Sequence, residues 1–177
     1  MSGKVVVSFS GRPDGNCAGI GEYAARLLRG EHVRFAELQA EPCGGCNCEC
    51  LRGGECPKQD GVSALYEKLS RAQECAFVLP NYADFPCAHY FIFSERGTGF
   101  FAGSEERLAK YMAVPKKAIV ISGGEEENFR RALAYQADRM ELLFLRAKDF
   151  GQKSADGRLA QDERVRALVR LFLQGSV

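Results

Sequence analysis

The chain has 177 residues, 46% hydrophobic and 27% charged, and its 24 Lys+Arg against 23 Asp+Glu leave a formal net charge of +1. That balance excludes the strongly basic footprint of a nucleic-acid binder and an acidic tail, and the apolar content excludes wholesale disorder. The length fits one domain, residues 1–177, able to bury a core without cross-links.

In chain order, Met-Ser-Gly-Lys followed by three valines is too short for the apolar core of a signal peptide, and no later run approaches the ~20 apolar residues of a membrane helix. A cytoplasmic protein with neither a membrane nor a nucleic-acid partner is expected. Val5-Val6-Val7 reads as a buried strand running into a loop with Gly11, Pro13 and Gly15. Ile20, Tyr23, Ala24, Leu27 and Leu28 then recur at helical spacing, with Gly30 as the stop. Val33 and Phe35 alternate with polar residues toward Leu38, a second strand. A cysteine-rich loop at 42–60 precedes a helix marked by Val62, Leu65, Tyr66 and Leu69.

Ala76 to Pro80 is a third strand, a helix covers about 86–96, and 97–114 reads as the longest irregular stretch. Ala118 to Ile121 forms a fourth strand before Ser122-Gly123-Gly124. Phe129, Leu133, Gln136, Met140 and Leu143 mark a helix merging into a weaker strand near 143–149, and Val165, Leu168, Val169 and Phe172 a last helix. Alternating apolar strands and helices predict an α/β fold, a five-stranded parallel sheet with helices on both faces. Five units suit the flavodoxin-like order 2-1-3-4-5, a three-layer sandwich. In such sheets ligands bind beyond the carboxyl ends of the strands, here after Phe9, Leu79 and Ile121.

The first of these loops, Ser10-Gly11-Arg12-Pro13-Asp14-Gly15-Asn16-Cys17, opens a helix whose free N–H groups and dipole suit a phosphate; Asp14 or Asn16 acting as a plain helix cap is the alternative. Gly19-Ile20-Gly21-Glu22-Tyr23-Ala24 matches a dinucleotide fingerprint, but these glycines fall inside the helix, where they form no tight turn. The second loop, Pro80-Asn81-Tyr82-Ala83-Asp84-Phe85, carries aromatics and backbone amides that suit a flat ring, or pack on the domain as an ordinary loop does. His89 reads as a surface or capping residue rather than a base.

Taken together, these segments resemble the NADPH-dependent FMN reductase and iron–sulfur flavoprotein group. Ser10, Arg12, Gly15, Asn16 and Cys17 align with its phosphate loop, and Pro80, Tyr82, Glu95 and Arg96 with its second motif. Pro42, Cys43, Gly45, Cys46, Cys50, Gly54, Cys56 and Asp60 align with its cysteine segment, and Ser122-Gly123-Gly124 with its last turn. Cys17 stands where that pattern has a hydroxyl, and Asp84 where it has a small residue. The resemblance implies FMN with its phosphate on Ser10, Arg12, Gly15, Asn16 and Cys17. It implies an isoalloxazine ring against Pro80, Asn81, Tyr82, Ala83, Asp84 and Phe85, with Ser122, Gly123 and Gly124 on its other side. The implied activity is that of an NAD(P)H-dependent FMN reductase or related flavin oxidoreductase, a homo-oligomer (dimer or tetramer), for whose contact Phe85–Phe93 and Phe100-Phe101 are suited, core packing being the equal alternative for them. No catalytic acid or base is implied. Electron transfer to a redox protein partner, and a binding domain without flavin, are the alternatives.

Five of the eight cysteines lie between Cys43 and Cys56. The resemblance implies a [4Fe-4S] cluster on Cys43, Cys46, Cys50 and Cys56, since four thiolates on one compact loop are what a cubane needs, with Cys48 spare. Zinc on four of the five, a Cys46–Cys50 disulfide, and no metal remain the other readings.

Overall fold

The structure is a computed structural model that describes residues 3–53, 55–137, 140–152 and 158–175, and of 134–137 the backbone alone. Gly54 of the cysteine segment and the side chain of Gln136 lie outside the described residues.

Among the described residues six strands form: β1 (Lys4–Ser8), β2 (Glu31–Arg34), β3 (Glu74–Tyr82), β4 (Phe85–Pro86), β5 (Lys116–Ser122) and β6 (Met140–Arg146). Five are parallel in the order β2-β1-β3-β5-β6, which is the expected 2-1-3-4-5 when those strands alone are counted. β4 is an addition, a two-residue strand folded back antiparallel on the end of β3. Six helices cover the sheet: α1 (Asn16–Leu28), α2 (Val62–Ser70), α3 (Ala88–Phe101), α4 (Glu105–Ala113), α5 (Glu127–Ala137) and α6 (Glu163–Gln174).

Alternation along the strands splits the core into two layers. Val5, Val7, Phe9, Phe77, Leu79 and Val120 face α2, α3 and α5, where Leu65, Tyr66, Phe93 and Phe129 pack against them. Val6, Ala76, Val78, Ile119, Ile121 and Leu145 face α1 and α6, meeting Ile20, Ala24, Val165 and Val169. Each such fully buried aliphatic side chain contributes roughly 1.5–3 kcal/mol. The sheet is therefore covered on both sides, and only its ends are open to build a site.

Several boundaries differ from the sequence reading. β2 ends at Arg34, and Phe35–Leu38 wind into a 3-10 turn, so Phe35 is buried through a turn rather than a strand. α1 stops at Leu28 with Arg29, not Gly30, in the left-handed region (φ 53°). Gly30 is needed for a different reason, because a Cβ there would collide with the carbonyl of Lys4. The stretch 97–114 is not irregular. α3 runs on through Gly97 and Gly99 to Phe101, and α4 follows, capped by Ser104 Oγ accepting the Arg107 N–H at 3.2 Å. Gly97 is a packing glycine, since a Cβ there would lie 2.6 Å from Tyr66 Oη. Met140 and Leu143 belong to β6, not to the preceding helix. Phe93 and Phe100 are core residues, and Phe101 packs against that core, which is the core alternative at those positions. Among the described residues, no helix is long and apolar enough to cross a membrane.

Candidate functional site

The carboxyl ends of β1, β3 and β5 bring the first, second and third loops together at one edge of the sheet. From β1, the chain leaves the core at Phe9 and turns through Ser10–Gly15 into α1. Ser10 Oγ accepts the Arg12 N–H at 3.2 Å, and the Arg12 carbonyl accepts the Gly15 N–H at 3.4 Å, a turn that leaves the Ser10 hydroxyl proton available. Gly15 is the N-cap residue of α1 with no side-chain cap, and no acidic residue stands in the first turn. The helix therefore presents uncompensated N–H groups and the positive end of its dipole. Arg12 is exposed, and among the described residues no carboxylate pairs with it.

Asn16 and Cys17, both expected on the phosphate, have other engagements. Asn16 is buried, and its Oδ1 accepts the Ala160 N–H at 3.2 Å, tying α1 to the turn before α6. Cys17 sits in the core beneath the loop, and burial, together with Cys87, pushes its thiol far up. Neither side chain is held by the loop itself. The glycines of the dinucleotide-like segment lie within α1 as expected. A Cβ on Gly19 would lie 2.8 Å from Ala160 Cβ, and one on Gly21 would collide with the His32 ring, so both serve helix packing.

The last residues of β3 include Pro80, which is buried, and Asn81. Asn81 Nδ2 donates to Ser122 Oγ at 3.0 Å and to the Glu125 carbonyl at 2.6 Å, and so locks the ends of β3 and β5 together. Ser122 Oγ in turn accepts the Gly124 N–H at 3.3 Å. Asn81 Oδ1 is buried and has no hydrogen-bond partner among the described residues. Next, Tyr82 and Phe85 pair across a two-residue turn whose Ala83 and Asp84 both have positive φ (49° and 68°), the pattern of a tight hairpin. Both rings are about half exposed, at 49% and 46%. Phe91 on the first turns of α3 is also exposed.

Asp84 is also accounted for differently. Its carboxylate accepts the N–H groups of Asn128 (3.1 Å) and Phe129 (3.4 Å), capping α5 from outside that helix. Spent on a helix N-terminus, this charge does not stand free beside the ring position. His89 is half-buried and caps no helix: its Nδ1 lies 3.0 Å from the Phe9 carbonyl, which also accepts from the Cys87 thiol at 3.2 Å.

The cysteine loop packs elsewhere, against α3. Cys43 and Cys48 are exposed, Cys46 and Cys56 half-buried and Cys50 buried, and desolvation, then the nearby Cys46 and Cys50, push the Cys43 thiol up. They do not converge, however. Among the described residues, no three His, Cys, Asp or Glu side chains are gathered as a metal ion requires. The cluster expectation thus finds no support in the arrangement, and no chemistry is routed through it. What anchors this loop is an ion pair that the sequence reading did not anticipate. Arg96, 3% exposed, binds both carboxylate oxygens of Asp60, donates to the Glu41 carbonyl at 2.9 Å, and reaches Cys56 Sγ at 3.5 Å. Its position on the helical face of Phe93 and Phe100 was the available signal, because an arginine amid such residues must carry a partner inward.

No family model matches the chain, and no curated protein matches it. Solved structures do. NAD(P)H:quinone oxidoreductase from Methanothermobacter marburgensis aligns with a TM-score of 0.67 at 16% identity, over 97% of this chain and 96% of that one. Azoreductase from Bacillus anthracis str. Sterne aligns at 0.63 and 9%, over 98% and 97%. FerB, a flavoenzyme NAD(P)H:(acceptor) oxidoreductase from Paracoccus denitrificans, aligns at 0.59 and 13%, over 98% and 96%. At such identities the likeness establishes the fold: this chain is an α/β protein of the flavodoxin-like kind.

Proposed function

We propose that this chain binds FMN at the carboxyl edge of its sheet and acts as an NAD(P)H-dependent FMN reductase or related flavin oxidoreductase. The observation that carries the reading is the pairing of two unsatisfied groups at that edge. One is the uncapped N-terminus of α1 with unpaired Arg12, which suits a phosphate dianion. The other is the buried, unpartnered Asn81 Oδ1 on the loop where the flat ring is expected, an acceptor for a ring N–H. Unpartnered buried acceptors are rare enough in native folds to call for a donor. The names of the solved neighbours, quinone oxidoreductase, azoreductase and a flavoenzyme, point the same way.

Ser10, Arg12 and the first turn of α1, entered through Gly15, Asn16 and Cys17, would hold the phosphate. Asn81 and the half-exposed Tyr82 and Phe85 would border the ring, with Ser122, Gly123 and Gly124 opposite. The bound flavin supplies hydride and electron chemistry, and the chain's part is to bind it, orient it and set the charge around it. No protein acid or base is needed for hydride transfer to a flavin, and none is assigned; His89 is engaged at the Phe9 carbonyl. The exposed Tyr82, Phe85 and Phe91 beside the site support a homo-oligomer that covers it.

Oxidation of NADH and of NADPH, followed with excess FMN and a soluble quinone, tests the activity. Turnover that depends on added FMN and falls in Arg12→Ala is expected. Without a recognisable Arg/Lys cluster for a 2′-phosphate, the two nicotinamides should differ by less than about a hundredfold, roughly 2.7 kcal/mol. Absence of FMN-dependent turnover with either donor would overturn the reading.

A further inference from the structure

A second reactive place lies away from the sheet edge, where the cysteine loop meets α3. A cavity of about 330 Å³ is walled by Cys56, Gly99, Phe100, Lys58 and Arg107. Cys56 is half-buried there, whereas Cys50 lies buried just behind. Both sulfurs border the space that a side chain at 99 would fill: a Cβ on Gly99 would sit 3.6 Å from Cys56 Sγ and 3.7 Å from Cys50 Sγ. Helix α3 thus carries a glycine at the one point where two thiols meet its surface. On the other side of Cys56, Arg96 Nη2 holds the sulfur at 3.5 Å, and Arg96 is itself fixed by Asp60.

We propose that Cys56 and Cys50 form a thiol–disulfide exchange site for small, carboxylate-bearing disulfides. The inference goes beyond the flavin reading and does not depend on it. In the first step the Cys56 sulfur attacks one sulfur of the small disulfide. The S–S bond breaks, one R–S⁻ leaves and takes up the proton released by the Cys56 thiol, and Cys56 carries the other half as a mixed disulfide. In the second step the Cys50 sulfur attacks Cys56 Sγ, expels the remaining R–S⁻, which takes the Cys50 proton, and closes a Cys50–Cys56 disulfide. The two protein thiols lose two electrons, and one small disulfide becomes two small thiols.

Three features assign the order and the substrate class. Cys56 faces the cavity and attacks first, while buried Cys50 is reached only from within the protein. The Arg96 guanidinium stabilises the negative charge that sulfur carries as attacking or leaving group. Lys58, paired with Glu41 at 2.5 Å, and Arg107, 3.9 Å from the lining residue Glu55, stand at the rim, where the carboxylates of a glutathione-like molecule would compete with those exposed partners.

Glutathione disulfide added to the reduced, desalted full-length protein tests this by intact mass and peptide mapping. The wild type should lose two hydrogens, keep no glutathione, and yield a peptide cross-linked through Cys50 and Cys56. Cys50→Ser should retain one glutathione, on Cys56. Gly99→Ala, which leaves both cysteines in place and sets a methyl against both sulfurs, should slow ring closure at least severalfold and accumulate the same adduct. Glutathione on exposed Cys43 or Cys48 with Cys50 and Cys56 still free, a different cross-link, or no reaction of the wild type would each overturn the proposal.

Discussion

Replacing Asp60 by alanine should unfold this protein more readily than replacing Arg96 by methionine, although both changes break the same ion pair. The Arg96 side chain is 2% exposed and the Asp60 side chain 10%. Removing the carboxylate leaves a guanidinium inside the protein, held only by the Glu41 carbonyl and Cys56 Sγ, with its Nε already lacking a partner. An uncompensated buried charge of that kind costs about 3–5 kcal/mol. For a domain of this length that corresponds to roughly 6–20 °C in Tm, at about 2–4 °C per kcal/mol. Arg96→Met leaves instead a carboxylate that still accepts the N–H groups of Glu41 (3.0 Å) and Val62 (3.3 Å). Its cost should be about 1–3 kcal/mol, the range for losing hydrogen bonds to a charged group. Urea unfolding with the m-value monitored separates the two variants. The pair also carries a pH signature. Burial pushes the Asp60 carboxyl up, but Arg96 and the backbone N–H groups outweigh it and hold it below its usual 3.8. The stabilisation is therefore present above the unfolded-state value and lost as pH falls below it toward the folded one. Asp60→Ala within about 1 kcal/mol of wild type, or Arg96→Met the more damaging, would refute the reasoning.

Asp84→Ala should remove the external cap of α5 and cost about 0.5–2 kcal/mol, read by the same unfolding curves; an unchanged midpoint would count against that assignment. His32 stacks over Gly21 with Nε2 3.0 Å from Ser8 Oγ, and burial, then Arg34, hold its imidazole below the usual 6.5 despite Glu22 and Glu37. The unfolded chain thus gains a proton first. Tm should fall as pH drops from about 6.5 toward the lower folded value, and His32→Gln should flatten that slope. Burial pushes the Cys75 thiol up to about 12 and raises those of Cys17 and Cys87 as well. A thiol reagent at neutral pH should modify exposed Cys43 and Cys48 before denaturation and these three only after it; early labelling at Cys75 would contradict the packing.

The sheet was legible because its strands are continuous apolar runs, and Val5–Val7, Ala76–Leu79 and Ala118–Ile121 do not fit a half-exposed element. What was not legible was decided by close approach. Gly97 and Gly99 look like helix breakers in a sequence, yet both sit inside α3, where Tyr66 leaves no room for a side chain at 97 and the Cys50 and Cys56 side chains come into close contact at 99. Reading them as loop residues hid α4 as well, although Ser104-Glu105-Glu106 is an ordinary helix start. In the candidate site, loop positions were found from strand ends, while the side-chain partners were not. Asn16 bonds to Ala160 and Asp84 to the start of α5, and no local pattern ties residues 144 or 44 positions apart. The Asp60–Arg96 pair joins two segments noted separately, and only the fold brings them into contact.

Titration of the flavin-free protein with FMN and, in parallel, with riboflavin tests the central claim most directly, because the two ligands differ only in the phosphate. Charge-assisted hydrogen bonds to that phosphate from Arg12 and the N-terminus of α1 should each contribute roughly 1.5–3 kcal/mol, and each 1.4 kcal/mol is about tenfold in affinity. FMN fluorescence should therefore quench to saturation at one flavin per chain, riboflavin should bind at least tenfold more weakly, and Arg12→Ala should bring FMN toward riboflavin. No quenching at tens of micromolar FMN, or equal affinity for the two flavins, would contradict the account.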